Sequence, residues 1–187
     1  MKDSLIVVSG GMDSITLLYE YADRIALAVS FDYGANHNHK EIPFARIHCE
    51  RLKIKHIVIP LAFVPFRNGI MLSIACGIAE SNGLKQVLIA NHGGDHAIYP
   101  DCRSEFIQAM DKAMRSGTYE NIGIFAPYTD ISKTEIASRG KKLNLNYAET
   151  WSCYKGGEKH CGKCGTCVER KEALRDAGIE DQTEYED

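Results

Sequence analysis

Ser9-Gly10-Gly11-Met12-Asp13-Ser14 lies between an apolar run, Leu5-Ile6-Val7-Val8, and a segment, residues 15–22, that reads as a helix. Strand, glycine turn and helix start together build an anion site from backbone. N–H groups free at a helix N-terminus point outward, the helix dipole favours negative charge, and glycines let a phosphate approach the main chain. Ser9 and Ser14 add hydroxyl donors, and Asp13 can cap the first turn or hold a metal ion. The whole hexapeptide, Met12 included, is therefore the expected phosphate-binding stretch of a nucleotide site.

The loop has neither the Gly-x-x-x-x-Gly-Lys-Ser/Thr form of a Walker loop nor a following Gly-x-Gly-x-x-Gly. It resembles the SGGxDS loop of the PP-loop ATP pyrophosphatases. That resemblance implies cleavage of ATP between its α- and β-phosphates.

Working outward, the chain alternates strand-like and helix-like segments. Residues 25–31 read as a second buried strand, apolar nearly throughout as a central parallel strand should be. A helix is expected over 39–52, a strand over 56–60 and a helix over 69–81, which Asn82-Gly83 stops. Then come a strand over 86–90, a helix over 104–114, a strand over 122–126 and a helix over 132–143. This order predicts a doubly wound, mostly parallel α/β sheet of Rossmann-like, PP-loop type. Ligands of such sheets bind outside the carboxyl ends of the strands. The expected site therefore falls on loops 9–14, 32–39, 60–68, 91–103 and 127–133.

With 187 residues, 44% of them hydrophobic and 25% charged, the chain can build one full α/β core. No run reaches the length of a membrane span, and no basic-apolar signal sequence opens the chain, so a cytoplasmic protein is expected. Net charge is −3, yet Asp176, Glu180, Asp181, Glu184, Glu186 and Asp187 alone supply −6, leaving the rest at +3. That suits an anionic small molecule and argues against a nucleic-acid surface. The acidic end is expected to be solvated.

Four of the seven cysteines, Cys153, Cys161, Cys164 and Cys167, are spaced C-x7-C-x2-C-x2-C. Two overlapping C-x-x-C pairs on a glycine-rich turn, closed by a more distant cysteine, describe a structural zinc site with four sulfurs and no open position. An iron–sulfur cluster is the other occupant that such thiolates take. His160 reads as a bystander, Trp151 and Cys102 as packing residues, and Cys49 and Cys76 as core. Residues 1–150 are expected to form the nucleotide-binding domain and 151–187 a metal-binding segment packed on it.

Several stretches together resemble one family, the 7-cyano-7-deazaguanine synthases of queuosine and archaeosine biosynthesis. They are SGGMDS (9–14), FDYG with His37 and Glu41 (31–41), FVPFRN with LS (63–73), and Asp95 with YPDCR-EF (99–106). AP and SK-E (126–135) and T-SCY with HCGKCGTC-ER (150–170) complete the set. The resemblance implies an ATP-dependent carbon–nitrogen ligase that joins 7-carboxy-7-deazaguanine to ammonia, through an amide to a nitrile. It further implies ATP, Mg²⁺ and zinc as cofactors, and a homodimer.

Carried onto this sequence, Ser9, Gly10, Gly11, Met12, Asp13 and Ser14 hold the phosphates, and Asp13 reaches the metal ion. Lys133 neutralises phosphate charge, and Arg67 and Asn68 face the nucleotide or the substrate carboxylate. Tyr99, Asp101 and Arg103 form the deazaguanine pocket, and Asp95 orients the base or the amine.

Two departures from the family pattern stand out. Only Leu61-Ala62 separates the third strand from FVPFRN, where members carry a longer covering segment, and histidines and glycines fill residues 91–96. A shorter cover opens the site and raises an alternative acceptor, the amine of a partner protein. The enzyme would then be a deazaguanine–protein ligase, as in antiviral-operon relatives. A tRNA-thiolating PP-loop enzyme is the remote reading, since it would want a catalytic cysteine pair and a strongly basic surface.

Overall fold

The computed structural model describes residues 2–62, 65–94 and 99–186. Five strands, β1 (Ser4–Val7), β2 (Ile25–Asp32), β3 (Lys55–Pro60), β4 (Gln86–Leu88) and β5 (Gly123–Phe125), pair in the order β3-β2-β1-β4-β5. Every neighbouring pair is parallel. Six helices alternate with them: α1 (Met12–Glu20), α2 (Asn38–Arg51), α3 (Arg67–Ser81), α4 (Ser104–Gly117), α5 (Lys133–Lys142) and α6 (Gly165–Asp176).

Alternation along β1 assigns the two faces. Leu5 joins Leu72, Ala75, Ile107 and Met114 of α3 and α4 in one cluster. Ile6 and Val8 face Ile15, Leu18, Ala45, Cys49 and Ile136 of α1, α2 and α5 in another. Helices on both sides of a parallel sheet make the expected doubly wound architecture. The order reverses beside β1, which has β2 on one flank and β4 on the other, and the crevice opens there. Among the described residues, no helix is long and apolar enough to cross a membrane.

Three features depart from the sequence expectation. Helix α1 starts at Met12, three residues early, because the extended Gly11 serves as N-cap and its carbonyl accepts from Ile15 N–H at 3.0 Å. Helix α6 was not anticipated: its buried face is Cys167, Arg170, Ala173 and Leu174, and a cysteine and an arginine there hide the apolar stripe. The acidic end is only half solvated. Asp181, Thr183 and Tyr185 alternate inward, and the strand-like run lies beside the cysteine turn through His160 N–H to Glu184 C=O and Glu186 N–H to His160 C=O.

Candidate functional site

The Ser9-to-Ser14 loop leaves β1 and enters α1 at the crevice. Gly10 holds φ at +109°, and a Cβ there would stand 1.9 Å from the Glu41 carbonyl oxygen of α2, so the position takes only glycine. The two hydroxyls gather the loop's amides. Ser9 Oγ accepts from Gly11 N–H, and Ser14 Oγ accepts from Ser9 and Gly10 N–H. Among the described residues no side chain caps α1, whose first turn, Met12 to Ser14, lines the crevice.

Across the loop, Lys133 Nζ opens α5, whose start is fixed by a capping box between Ser132 and Glu135. It stands 3.2 Å from Asp13 Oδ2 and 2.9 Å from Glu169 Oε2. His92 is buried and accepts Gly94 N–H on Nδ1, which leaves the proton on Nε2, 3.7 Å from Asp13 Oδ2. Asp13 Oδ1 is buried and accepts no hydrogen bond among the described residues.

Glu41 lies under the same loop on the inward line Glu41-Ala45-Cys49 of α2. Burial, and then the charge of Asp13, push its carboxyl up to about 8, against the pull of Lys133. Sequence reasoning gave it no role. The signal was available, since an acid shares a helical face with alanine and cysteine at four-residue spacing.

Ser9, Asp13, Ser14, Glu41 and Lys133 line a cavity of about 480 Å³. Its opposite wall is aromatic. His37 stacks on Tyr154 with centroids 4.7 Å apart, its Nε2 is 3.3 Å from Tyr33 Oη, and the Arg67 guanidinium lies 4.9 Å over the Tyr33 ring. Burial, with Arg67 adding to it, pulls the His37 pKa down, so the ring is neutral. Tyr33, His37 and Tyr154 were not named from sequence as ligand contacts.

Of the expected site residues, Ser9, Gly11, Met12, Asp13, Ser14, Arg67, Asn68, Tyr99, Asp101 and Lys133 all line this cavity. Gly10 supports it from behind, and Arg103 is not among the lining residues. Asp95 lies outside the described residues. Asp101 carries a second duty: its Oδ2 accepts Asn68 N–H at 2.9 Å, capping α3, while Asn68 Nδ2 donates to Asp101 C=O and Cys102 Sγ. Cys49, Cys76 and Cys102 are buried, and Cys102, read from sequence as packing, also lines the cavity.

The ligand atoms of Cys153, Cys161, Cys164 and Cys167 lie within 4.8 Å of one another, and His160 is outside the set. His160 Nε2 instead accepts Ser152 N–H, and its ring packs on Trp151. Backbone amides approach the sulfurs, Cys161 N–H to Cys153 Sγ and Cys164 N–H to Cys161 Sγ. Four converging sulfurs on amide-lined turns fit a tetrahedral metal. The centre also shapes the cavity, because Ser152, Tyr154 and Thr166 around it form part of the wall.

The fold and its loop define a PP-loop-type nucleotide-binding α/β protein. A family model described as "Queuosine biosynthesis protein QueC" matches residues 3–63 and 57–178. A 7-cyano-7-deazaguanine synthase of Porphyromonas gingivalis is 58% identical over 215 aligned positions, covering 99% of this chain and 98% of that one. One from Desulfotalea psychrophila is 45% identical over 217 positions, covering 99% of each. The chain belongs to the QueC family of queuosine biosynthesis. An NMN synthetase structure from Francisella tularensis shares the fold, with TM-score 0.57 at 14% identity over 97% of this chain and 74% of that one. An alignment of 215 positions against a chain of 187 residues leaves at least 28 positions empty in this chain. The two matched pieces of the family model overlap at residues 57–63, which begin within β3.

Proposed function

We propose that the chain is an ATP-dependent ligase that adenylates 7-carboxy-7-deazaguanine and condenses the acyl adenylate with ammonia. A carboxylate is a poor electrophile because its leaving group would be oxide. Transfer of AMP makes a mixed anhydride and releases pyrophosphate into the Ser9-to-Ser14 cradle. Ammonia displaces AMP to give the amide. A second adenylation, at the amide oxygen, followed by loss of AMP and a proton, gives 7-cyano-7-deazaguanine.

The observation that carries this reading is the gathered amide loop at the tip of β1 with Lys133 and Asp13 facing it. Stabilising charge as it develops is the protein's main contribution. Lys133 neutralises phosphate oxygens, Asp13 holds Mg²⁺, and Arg67 faces the nucleotide or the substrate carboxylate. Asn68, Tyr99, Asp101 and Arg103 serve the deazaguanine, and Asp95 orients the base or amine. Magnesium, when bound, supplies charge neutralisation at the phosphates. Zinc fills the four-cysteine centre and is structural, and the chain works in the cytoplasm as a homodimer. The test is product analysis with the acid, ATP, magnesium and ammonia: two AMP and two pyrophosphate per nitrile are expected, and ADP with orthophosphate would sink the reading.

The short connection Leu61-Ala62 ahead of FVPFRN supports a second reading, because Phe66 and Arg67 of that piece line the cavity. A less covered site admits a larger nucleophile, and the reaction would then stop at an amide with a protein amine. Mass spectrometry separates the two: AMP release without nitrile, rescued by a protein acceptor that gains the deazaguanine acyl mass, identifies the ligase.

A further inference from the structure

We infer that Glu41 joins Asp13 as a ligand to one divalent cation of the magnesium class, which bridges both carboxylates to the phosphate oxygens held by the Ser9-to-Ser14 loop. This rests on the reading of that loop as a pyrophosphate cradle. Helix α2 is the floor on which the loop sits. The Glu41 carbonyl meets Gly10, and Glu41 Oε1 lies 3.3 Å from where a Cβ on Gly11 would stand, so the carboxyl flanks the loop and lines the cavity.

Glu41 is 8% exposed, and its closest polar contact among the described residues is His37 Nε2 at 3.8 Å, beyond hydrogen-bond range. Asp13 Oδ1, on the other side of the loop start, is buried and accepts no hydrogen bond among the described residues. Buried carboxylate oxygens without donors are expensive unless something compensates them. Lys133 does not suffice, since Asp13 and Glu169 already share it. An arriving pyrophosphate adds negative charge to a wall that already holds Asp13 and Glu41. A hard cation between carboxylates and phosphate removes that conflict. Magnesium is characteristically held this way, by one or two carboxylates plus substrate phosphates, with water completing the shell. The four cysteines offer soft sulfur and suit a different metal, so the two sites do not compete.

The test uses the full-length, zinc-loaded protein with Mn²⁺ as the probe, read by the electron paramagnetic resonance signal of free Mn²⁺ with pyrophosphate present. Wild type should retain Mn²⁺ with the pyrophosphate. Glu41→Gln should weaken Mn²⁺ binding by about tenfold or more, at unchanged zinc content. Glu41→Asp, which keeps the charge but withdraws it by one methylene, should fall between and serves where the glutamine variant folds poorly. Wild-type Mn²⁺ affinity in both variants overturns the assignment of Glu41 while leaving the cradle intact. Failure of labelled pyrophosphate to bind the wild-type protein overturns the cradle and this inference with it.

Discussion

The backbone N–H of Trp151 donates to the carbonyl of Gly10 at 3.1 Å, which ties the chain just ahead of Cys153 to the phosphate loop. Trp151 Nε1 donates in turn to Cys153 C=O at 2.7 Å. The cysteine centre and the nucleotide site are therefore one mechanical unit. Arg170, fully buried, extends it by donating to Thr150 Oγ1, Ser152 Oγ, Thr183 Oγ1 and the Tyr147 carbonyl. Removing the metal should unfold residues 151–186, since structural zinc binding is worth about 10–16 kcal/mol in small peptides. It should also weaken pyrophosphate binding at the loop. Hydrogen exchange before and after chelation measures the first effect and calorimetry the second. A purified protein holding neither zinc nor iron would end this account of the centre.

The proposed reaction gives Lys133 the task of neutralising charge at the loop. Its Nζ reaches Asp13 and Glu169, and its backbone is fixed by the Ser132–Glu135 capping box. Lys133→Ala should lower the rate of AMP formation by about 10²–10³, the usual loss when one preorganised donor to developing charge is removed. It should also lower stability, because the Asp13–Lys133 pair is mostly buried and truncation leaves the Asp13 carboxylate without its cation, so rates are compared at a temperature where both proteins are folded. Single-turnover AMP release, with a melting curve as control, decides it. An alanine variant with wild-type turnover removes Lys133 from the reaction.

The sheet and the loop were legible because strand alternation and glycine chemistry are local properties. Leu5 and Ile6 announce opposite faces by adjacency alone, and Gly10 announces a backbone that no side chain tolerates. The cysteine centre was legible from spacing. What escaped notice depends on distant partners. Helix α6 buries Cys167 and Arg170, whose reasons for burial are the sulfur cluster and the segments 147–152 and 183. Tyr154 belongs to the cysteine turn by sequence and to the cavity wall through its stacking on His37 of α2. Asp101 reads as a pure ligand residue until it is seen capping α3 through Asn68.

Glu41 makes folding stability pH-dependent in a definite direction. Burial and the neighbouring Asp13 raise its carboxyl to about 8 in the folded chain, well above the unfolded value. The protonated acid is thus favoured by folding. Its contribution is complete below the unfolded pKa and is lost as pH rises through about 8. In magnesium-free buffer the full swing is on the order of 5 kcal/mol. Glu41→Gln, which cannot ionise, should remove this slope, so the variant gains on wild type progressively from about pH 4.5 to about 8. Denaturant titrations of both proteins across that window measure the difference. Parallel curves would mean that Glu41 titrates as an ordinary carboxyl.

Two glycine substitutions should move stability in opposite directions. At Gly10, φ is +109° and an added Cβ would fall 1.9 Å from the Glu41 carbonyl oxygen and 2.6 Å from its carbon. Both are backbone atoms of α2, which cannot swing aside as a side-chain tip can. Gly10→Ala should therefore destabilise by about 3 kcal/mol or more, from strain and overpacking together. It should also abolish pyrophosphate binding by prising the loop from its floor. Gly77 sits inside α3, exposed, with nothing within 4 Å of a new Cβ. Gly77→Ala should raise stability by about 0.5–1 kcal/mol, the ordinary helix-propensity gain, and leave turnover alone. Urea midpoints for the two variants give the comparison directly. A Gly10→Ala protein that melts with wild type and still binds pyrophosphate would show that the loop does not rest on α2 as described.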